Sequence, residues 1–416
     1  MTGTPVRWGV VLLAFLAVLF DGFDSASLSF VLPSLAEQWG IVAAAFTPAV
    51  VITNIGVVLG YLASGTLGVR MGLRWLLLTG VVTFAVGSLA TALVLPLESV
   101  TMLSVARGLT GLGLGVVLPG AVSLATAHNP VNQRQLVSVA VTLGLAAGGT
   151  VAGVFGSKLL NSVGATGVFW IGGGLPLVLA AVMWRGLPDT AGESQKSTEE
   201  AQREARVDRL FAPGLRATTT LLWSFAFLVF IASYTLQSWV PTLLTGYGFS
   251  PSEAPIGLAF LSFGGVLGGI VLLSLAARIG IAPALVVMPI VGVLSMLAAA
   301  TLGMSDLTLL FVLGGAGAGL TASQIGQLTL AVTLYEPGTR TTGVGWAAAL
   351  GRFGSIVGPG VAGVLLAFAL PSTDIVLLTT IPVLAAAVCA AVLWRTPTRA
   401  AVPAVAQPGG ARQGER

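Results

Sequence analysis

Apolar residues run along this 416-residue chain in long blocks that polar residues interrupt only briefly. Each block of roughly 18–26 residues is long enough to cross about 30 Å of hydrocarbon as a helix. There are twelve, at approximately 9–33, 45–68, 75–96, 101–124, 135–157, 166–184, 217–240, 254–276, 283–303, 307–331, 343–369 and 375–394. The pattern predicts an all-α membrane protein with twelve transmembrane helices.

The loops between these blocks are short, except for a charged segment that contains GESQKSTEEAQREARVDR. We therefore predict an N-terminal six-helix bundle at 1–184 and a cytoplasmic linker with room for one surface helix at 185–216. A C-terminal six-helix bundle follows at 217–394, and 395–416 is expected to be a disordered cytoplasmic tail.

Composition supports the membrane assignment and argues against an enzyme. Hydrophobic residues make up 55% of the chain and charged residues 8%, whereas soluble domains carry roughly 25% charged residues. The single cysteine, Cys389, and the single histidine, His128, leave no disulfide, no metal-binding set and no nucleophile–base pair. We expect no cofactor, no metal and no enzymatic activity.

The positive charges indicate the orientation. With both termini in the cytoplasm, 16 of the 19 Lys and Arg residues fall in cytoplasmic segments, Lys158 alone lies outside, and Arg107 and Arg352 lie within spans. This asymmetry follows the positive-inside rule. It predicts a multi-pass protein of the cytoplasmic membrane, embedded in the lipid bilayer, and it accounts for the pI of 9.7 without a nucleic-acid partner.

The two halves of the chain resemble each other at a constant offset of 208 residues. The matches are Pro33 with Pro241, Gly40 with Gly248, GVVLG (56–60) with GGVLG (264–268), and VRMG (69–72) with ARIG (277–280). Two parallel six-helix repeats imply a pseudo-two-fold axis along the membrane normal, which is the arrangement of major facilitator transporters. In that arrangement the substrate site lies near mid-membrane between the halves, and access alternates as they rock.

Two aspartates, Asp21 and Asp24, lie inside the first span. They are three residues apart and therefore share a helix face, about 4.5 Å apart along the axis. A carboxylate in hydrocarbon costs about 2.5–3.5 kcal/mol on insertion scales, and the repeat places only Val229 and Ala232 at the equivalent positions. We predict that this pair couples transport to protons; the alternative is a structural ion pair with Arg107.

Two arginines, Arg107 and Arg352, also lie within spans. The predicted depth of Arg107 in the fourth helix matches that of Asp24, so Arg107 either pairs with Asp24 or binds a substrate carboxylate. No acidic residue lies in a span of the second half. Arg352 is accordingly expected to bind the substrate anion or stack on an aromatic ring, or else to satisfy backbone carbonyls.

Polar residues form one stripe on each of the seventh and tenth helices. In a bilayer such residues either hold helices together or line a cavity, and we favour cavity lining because these helices are the repeat counterparts of the first and fourth. The predicted substrate-binding residues on these stripes are Tyr234, Gln237, Ser238, Gln324 and Gln327.

Five runs resemble the aromatic acid:proton symporter branch of the major facilitator superfamily. They are DGFDSASLSFVLPSLAEQWG (21–40), RGLTGLGLGVVLP (107–119), FWIGGGLPL followed by LPDT (169–190), SYTLQSWVPTLLTGYGFS (233–250) and TRTTGVGWAAALGRFGSIVGP (339–359). The resemblance implies uptake of a small organic anion, an aromatic carboxylate, together with protons by alternating access. We expect the protein to be a monomer.

The loop between the second and third helices carries the family's gating motif only in part. The resemblance implies gating roles for Arg70, Gly72 and Arg74, whereas Val69 and Ala127 stand where the family carries acids. Two alternatives to uptake therefore stay open: a proton-coupled drug or metabolite exporter, and a sensor-like paralogue that no longer transports. The two arginines within the membrane argue against a cationic substrate.

Overall fold

The structure is a computed structural model that describes residues 6–130, 133–188, 210–212, 215–335 and 337–395. The predicted surface helix of the linker and the predicted disordered tail lie outside these residues. Within them the chain is almost entirely helical.

Eleven helices in the described part of the chain are long and apolar enough to cross a membrane. One of them, Arg134–Gly186, has 53 residues and would measure about 80 Å if straight, which is more than twice what one crossing needs. Gly164 breaks it with non-helical torsions (φ 67°, ψ 177°). The element thus holds two crossings, which we label α5 (134–163) and α6 (165–186), and the twelve predicted spans are accounted for.

The other helices agree with the predicted spans to within a few residues, although α1 and α7 end six residues later and α11 begins six residues earlier. They are α1 Trp8–Trp39, α2 Thr47–Met71, α3 Leu73–Val94, α4 Val100–Ala127, α7 Arg216–Gly246, α8 Ile256–Ile279, α9 Ile281–Thr301, α10 Asp306–Leu334, α11 Pro337–Ala367 and α12 Ser372–Arg395.

The repeat is visible in the backbone. After α1, Gly40 takes a positive φ of 64° and the N–H of Ile41 donates to the carbonyl of Ala36; after α7, Gly248 (φ 102°) is followed by the same bond from Phe249 to Leu244, 208 residues on. This is the helix-terminating arrangement that glycine favours. Such matching ends confirm that the two halves share one fold.

The helices pack alike in the two halves. In the first half α1 packs on α5 and α2 on α4, and in the second α7 packs on α11 and α8 on α10. Gly60 faces the backbone carbonyl of Leu112, and Gly268 faces that of Ala318, so closely that a Cβ would overlap the oxygen. Small residues thus allow the close helix approach expected of a membrane bundle.

The two halves meet at one side of the molecule, which we call the far side; it is where α1 and α7 end. A single buried cluster there contains Phe30 and Leu35 from α1 and Trp239 and Leu243 from α7. At the near side, where α1 begins, each half instead has its own separate cluster. The halves therefore close on each other at the far side and separate toward the near side.

Candidate functional site

A cavity of about 170 Å³ lies between the two halves. Helices α1, α2, α4 and α5 form its wall on one side, and α7, α8, α10 and α11 form the other. Its polar lining comprises Asp21, Ser25, Ser29, Thr53, Asn54, Tyr61, Arg107, Tyr234, Gln237, Ser238, Ser262, Thr321, Gln324 and Arg352. The volume is close to the ~150 Å³ of a cavity that holds one benzene molecule, so a single-ring ligand fits.

Seven of the nine predicted coupling and substrate-binding residues line this cavity: Asp21, Arg107, Tyr234, Gln237, Ser238, Gln324 and Arg352. The other two, Asp24 and Gln327, are buried outside the lining. The spacing of the polar stripes placed most of these side chains on one face but could not show which of them packs against a neighbouring helix instead.

Asp24 is tied into a buried network within the first half. Its Oδ2 accepts a hydrogen bond from Nη1 of Arg107 at 2.9 Å, and its Oδ1 accepts one from Oγ of Ser88 at 2.8 Å. The side chains of Asp24 and Arg107 are both fully buried. The predicted pairing is therefore present, and it joins α1 to α3 and α4.

Arg107 uses only part of its hydrogen-bonding capacity in this network. Its guanidinium lies 5.8 Å from the ring centre of Phe169 on α6, which suits a cation–π contact. Its Nε and Nη2 atoms are buried and have no hydrogen-bond partner among the described residues. Arg107 thus reaches the cavity wall with donors to spare, although Asp24 balances its charge.

Asp21 is held much less firmly than Asp24. It lies on the cavity wall, and the hydrogen bond that it accepts comes from Ser25, one turn later, at 3.2 Å. Across the cavity, Arg352 is near enough for Coulombic attraction between the two charges. Asp21 is therefore the acid that a proton or a ligand in the cavity can reach.

Arg352 lies among aromatic rings from both halves. Its Nη1 donates to the hydroxyl of Tyr234 at 2.8 Å, and its guanidinium lies 5.1 Å from the ring centre of Tyr61 on α2 and 6.0 Å from that of Phe230. Phe230 and Tyr234 are themselves stacked, with ring centres 5.7 Å apart. No acidic side chain of the described residues forms an ion pair with Arg352, so its charge is available to an anion.

The sequence did not single out Tyr61, Ser25 or Ser88 as site residues. Ser25 could have been found, because it follows Asp21 by one helical turn. Tyr61 is one of only four tyrosines and lies in an apolar helix, which is a weak signal. Ser88 gave no signal, because its contact with Asp24 depends on how α3 packs on α1.

The predicted gating residues lie at the near side, away from the cavity. Arg70 is exposed at the end of α2, Gly72 links α2 to α3 with a φ of 83°, and Arg74 donates to the backbone carbonyl of Trp184 on α6. Val69 is 43% exposed. The gating roles stay predictions.

Comparison with known proteins places this geometry in a family. The model of the Major Facilitator Superfamily matches residues 14–359. The chain is 32% identical over 395 residues to the 4-hydroxybenzoate transporter PcaK of Pseudomonas aeruginosa, covering 87% of each protein. It is 30% identical to the gallate transporter of Pseudomonas putida (97% of this chain, 95% of that one) and 28% identical to the benzoate transport protein of Acinetobacter baylyi (88% and 85%).

The fold also matches solved structures. The crystal structure of a D-xylose-proton symporter superimposes with a TM-score of 0.76 at 15% sequence identity, covering 95% of this chain and 99% of that one. At such low identity the similarity concerns the fold alone.

Proposed function

The chain belongs to the Major Facilitator Superfamily, and we propose that it is a secondary transporter that takes up an aromatic carboxylate together with protons. The observation that carries this proposal is Arg352, a cation without an ion-pair partner among the described residues, which lines a single-ring cavity beside aromatic rings. The names of the relatives, which include 4-hydroxybenzoate, gallate and benzoate transporters, support the same class of substrate.

Arg352 offers both contacts that such a substrate needs. A guanidinium binds a carboxylate through two parallel hydrogen bonds. The substrate ring can then pack against Tyr61 or the stacked pair of Phe230 and Tyr234, since aromatic pairs are favourable beyond the area they bury. We therefore assign Arg352 as the anchor of the substrate carboxylate.

Asp21 is the proposed proton carrier. Across the cavity its charge attracts that of Arg352. When Asp21 takes up a proton, Arg352 loses this attraction and can pair fully with the substrate carboxylate instead. The charge in the cavity is then the same before and after loading, so the halves can rock without moving a new unpaired charge into the low-dielectric interior, which would be costly.

We assign a different role to the second acid. Asp24 is fully buried and already engaged by Arg107 and Ser88, so it holds α1 against α3 and α4. Arg107 contributes to the substrate site through the spare hydrogen-bond donors that it brings to the cavity wall. The predicted coupling role of the pair thus falls mainly on Asp21.

The conformation fits one state of an alternating-access cycle. The halves are packed together at the far side and separate at the near side. Because the sequence predicts a cytoplasmic N-terminus, we propose that this is the inward-facing state, from which substrate leaves for the cytoplasm.

The test is uptake of labelled 4-hydroxybenzoate and benzoate into proteoliposomes under an imposed inward proton gradient. We expect accumulation by the wild type, loss of the proton dependence in Asp21→Asn, and a raised KM in Arg352→Gln. Asp306→Asn, which removes an exposed acid at the start of α10, is the matched control and should behave like the wild type. Wild-type protein without uptake, or Asp21→Asn with an unchanged response to the gradient, would refute the proposal.

The same vesicles test the exporter alternative. Outward movement of a cationic dye driven by the gradient would favour it over uptake. The arginines at the cavity wall argue against this outcome, because they repel a cation.

A further inference from the structure

One part of the cavity wall carries polar groups that anchoring a carboxylate at Arg352 does not use. It is formed by Thr321 and Gln324, three residues apart on α10 and therefore on one helix face, and by Ser262 on α8. Both helices belong to the second half, as does Arg352. A ligand held by its carboxylate at Arg352 presents the rest of its ring to the remaining walls of a cavity this small.

Gln324 is the most unusual member of this wall. Its side chain lines the cavity, yet its Nε2 atom is buried and has no hydrogen-bond partner among the described residues. A buried donor without a partner is costly, and native structures rarely leave one without a reason. A substrate that brings a hydrogen-bonding group to this position removes the cost.

The other two amides of the lining lack this feature. Nδ2 of Asn54 on α2 donates to the backbone carbonyl of Val50 at 2.9 Å. Gln237 on α7 also lines the cavity, but none of its polar atoms is both buried and unpaired. Gln327, one turn after Gln324, has a buried unpaired oxygen, but it lies outside the lining and a substrate does not reach it. Gln324 is thus the lining residue of α10 whose amide needs a partner from the cavity.

We propose that the side-chain amide of Gln324 hydrogen-bonds a hydroxyl group on the substrate ring, so that the transporter prefers hydroxylated aromatic acids to benzoate. This inference rests on the function proposed above. An amide both donates and accepts, and so does a phenolic hydroxyl, so the pair can form in either direction. A site built to pair a hydroxyl disfavours the analogue that lacks it, because its own polar group is then left buried and unpaired.

The size of the effect follows from the worth of one neutral hydrogen bond, which corresponds to about 3- to 10-fold in affinity. Replacing Gln324 by Leu keeps a side chain of similar size and removes the amide. We expect Gln324→Leu to raise the KM for 4-hydroxybenzoate by about this factor and to leave the KM for benzoate unchanged. The preference between the two acids should then disappear.

The experiment measures both KM values in proteoliposomes, and in parallel the binding of both acids to detergent-solubilised protein by ligand-induced thermal stabilisation. Thr333→Val, an exposed change near the end of α10 and outside the cavity, is the matched control and should keep the wild-type preference. Gln324→Asn, which retains an amide, should keep part of it.

The outcomes separate the two proposals. A wild type that binds 4-hydroxybenzoate more tightly than benzoate, with Gln324→Leu abolishing the difference, supports the role of Gln324 even if proton-driven uptake is absent and the proposed function fails. Equal losses for both acids in Gln324→Leu, an intact preference in that variant, or a wild type without a preference for the hydroxylated acid would each overturn it.

Discussion

The buried pair of Asp24 and Arg107 makes the sharpest prediction about stability. In the substitution Asp24→Asn the side chain keeps its shape but loses its charge, so the fully buried guanidinium of Arg107 no longer faces a carboxylate. Removing one partner of a buried ion pair typically costs about 3–5 kcal/mol, because the remaining charge is left without compensation in a low-dielectric interior. We expect the free energy of unfolding of Asp24→Asn to fall by this amount.

A second substitution separates the charge from the packing. Met is close to Arg in length and carries no charge, so Arg107→Met alone should leave Asp24 uncompensated and cost a similar amount. The double variant Asp24→Asn/Arg107→Met contains no buried charge, and we expect its stability to lie within about 2 kcal/mol of the wild type. The coupling free energy between the two positions should therefore reach at least about 4 kcal/mol.

Reversible unfolding of the protein in mixed detergent micelles, followed by the fluorescence of its nine tryptophans, gives the required free energies. Asp21→Asn is the control, because it makes the same chemical change three residues earlier at a carboxylate that forms no direct ion pair. Asp21 accepts a 3.2 Å hydrogen bond from Ser25 and attracts Arg352 only across the cavity, so the change should cost no more than about 1.5 kcal/mol. If Asp24→Asn unfolds like the wild type, or if the double variant is as unstable as the sum of the single ones, the pair is not the coupled unit described here.

Three further predictions follow from the backbone and from one tyrosine. Gly72→Ala should destabilise the protein by about 1–3 kcal/mol in the same assay, because its φ of 83° is strained for any residue with a Cβ; Gly65→Ala, within α2 and facing open space, should not. Gly153→Leu should push α5 away from α8 at the far side. In a background that lacks the native Cys389, Ser262→Cys should then react with an impermeant maleimide added on that side. Unchanged labelling would contradict the closure of the two halves there. Burial raises the pKa of Tyr247, which lies outside the spans, to about 12. The contribution of this shift to the free energy of unfolding is therefore complete below pH ~10 and is lost as the pH rises through ~12. The free energy of unfolding of the wild type should fall over this range because of Tyr247, and that of Tyr247→Phe should lack this fall.

Much of the scaffold could be predicted from the sequence because membrane spans and glycine-rich contacts are local signals. The twelve crossings followed from the lengths of the apolar blocks, and the repeat followed from proline and glycine matches such as Gly72 with Gly280, which share φ values of 83° and 88°. The fusion of α5 and α6 into one element did not follow, because whether a helix bends or stops at Gly164 depends on backbone torsions that no periodicity records.

The cavity was harder to predict, because its chemistry depends on where the two halves differ. The repeat relates Asp21 to Val229, so each half taken alone has either this acid or Arg352, but not both. The attraction between Asp21 and Arg352, and the contact of Arg352 with Tyr61, cross the pseudo-symmetry axis and exist only when the halves come together. A sequence pattern can place each of these side chains on a cavity-facing helix. It cannot show that Asp24 is already engaged by Ser88 while Asp21 is left to the cavity, and the different roles that we propose for the two acids rest on that difference.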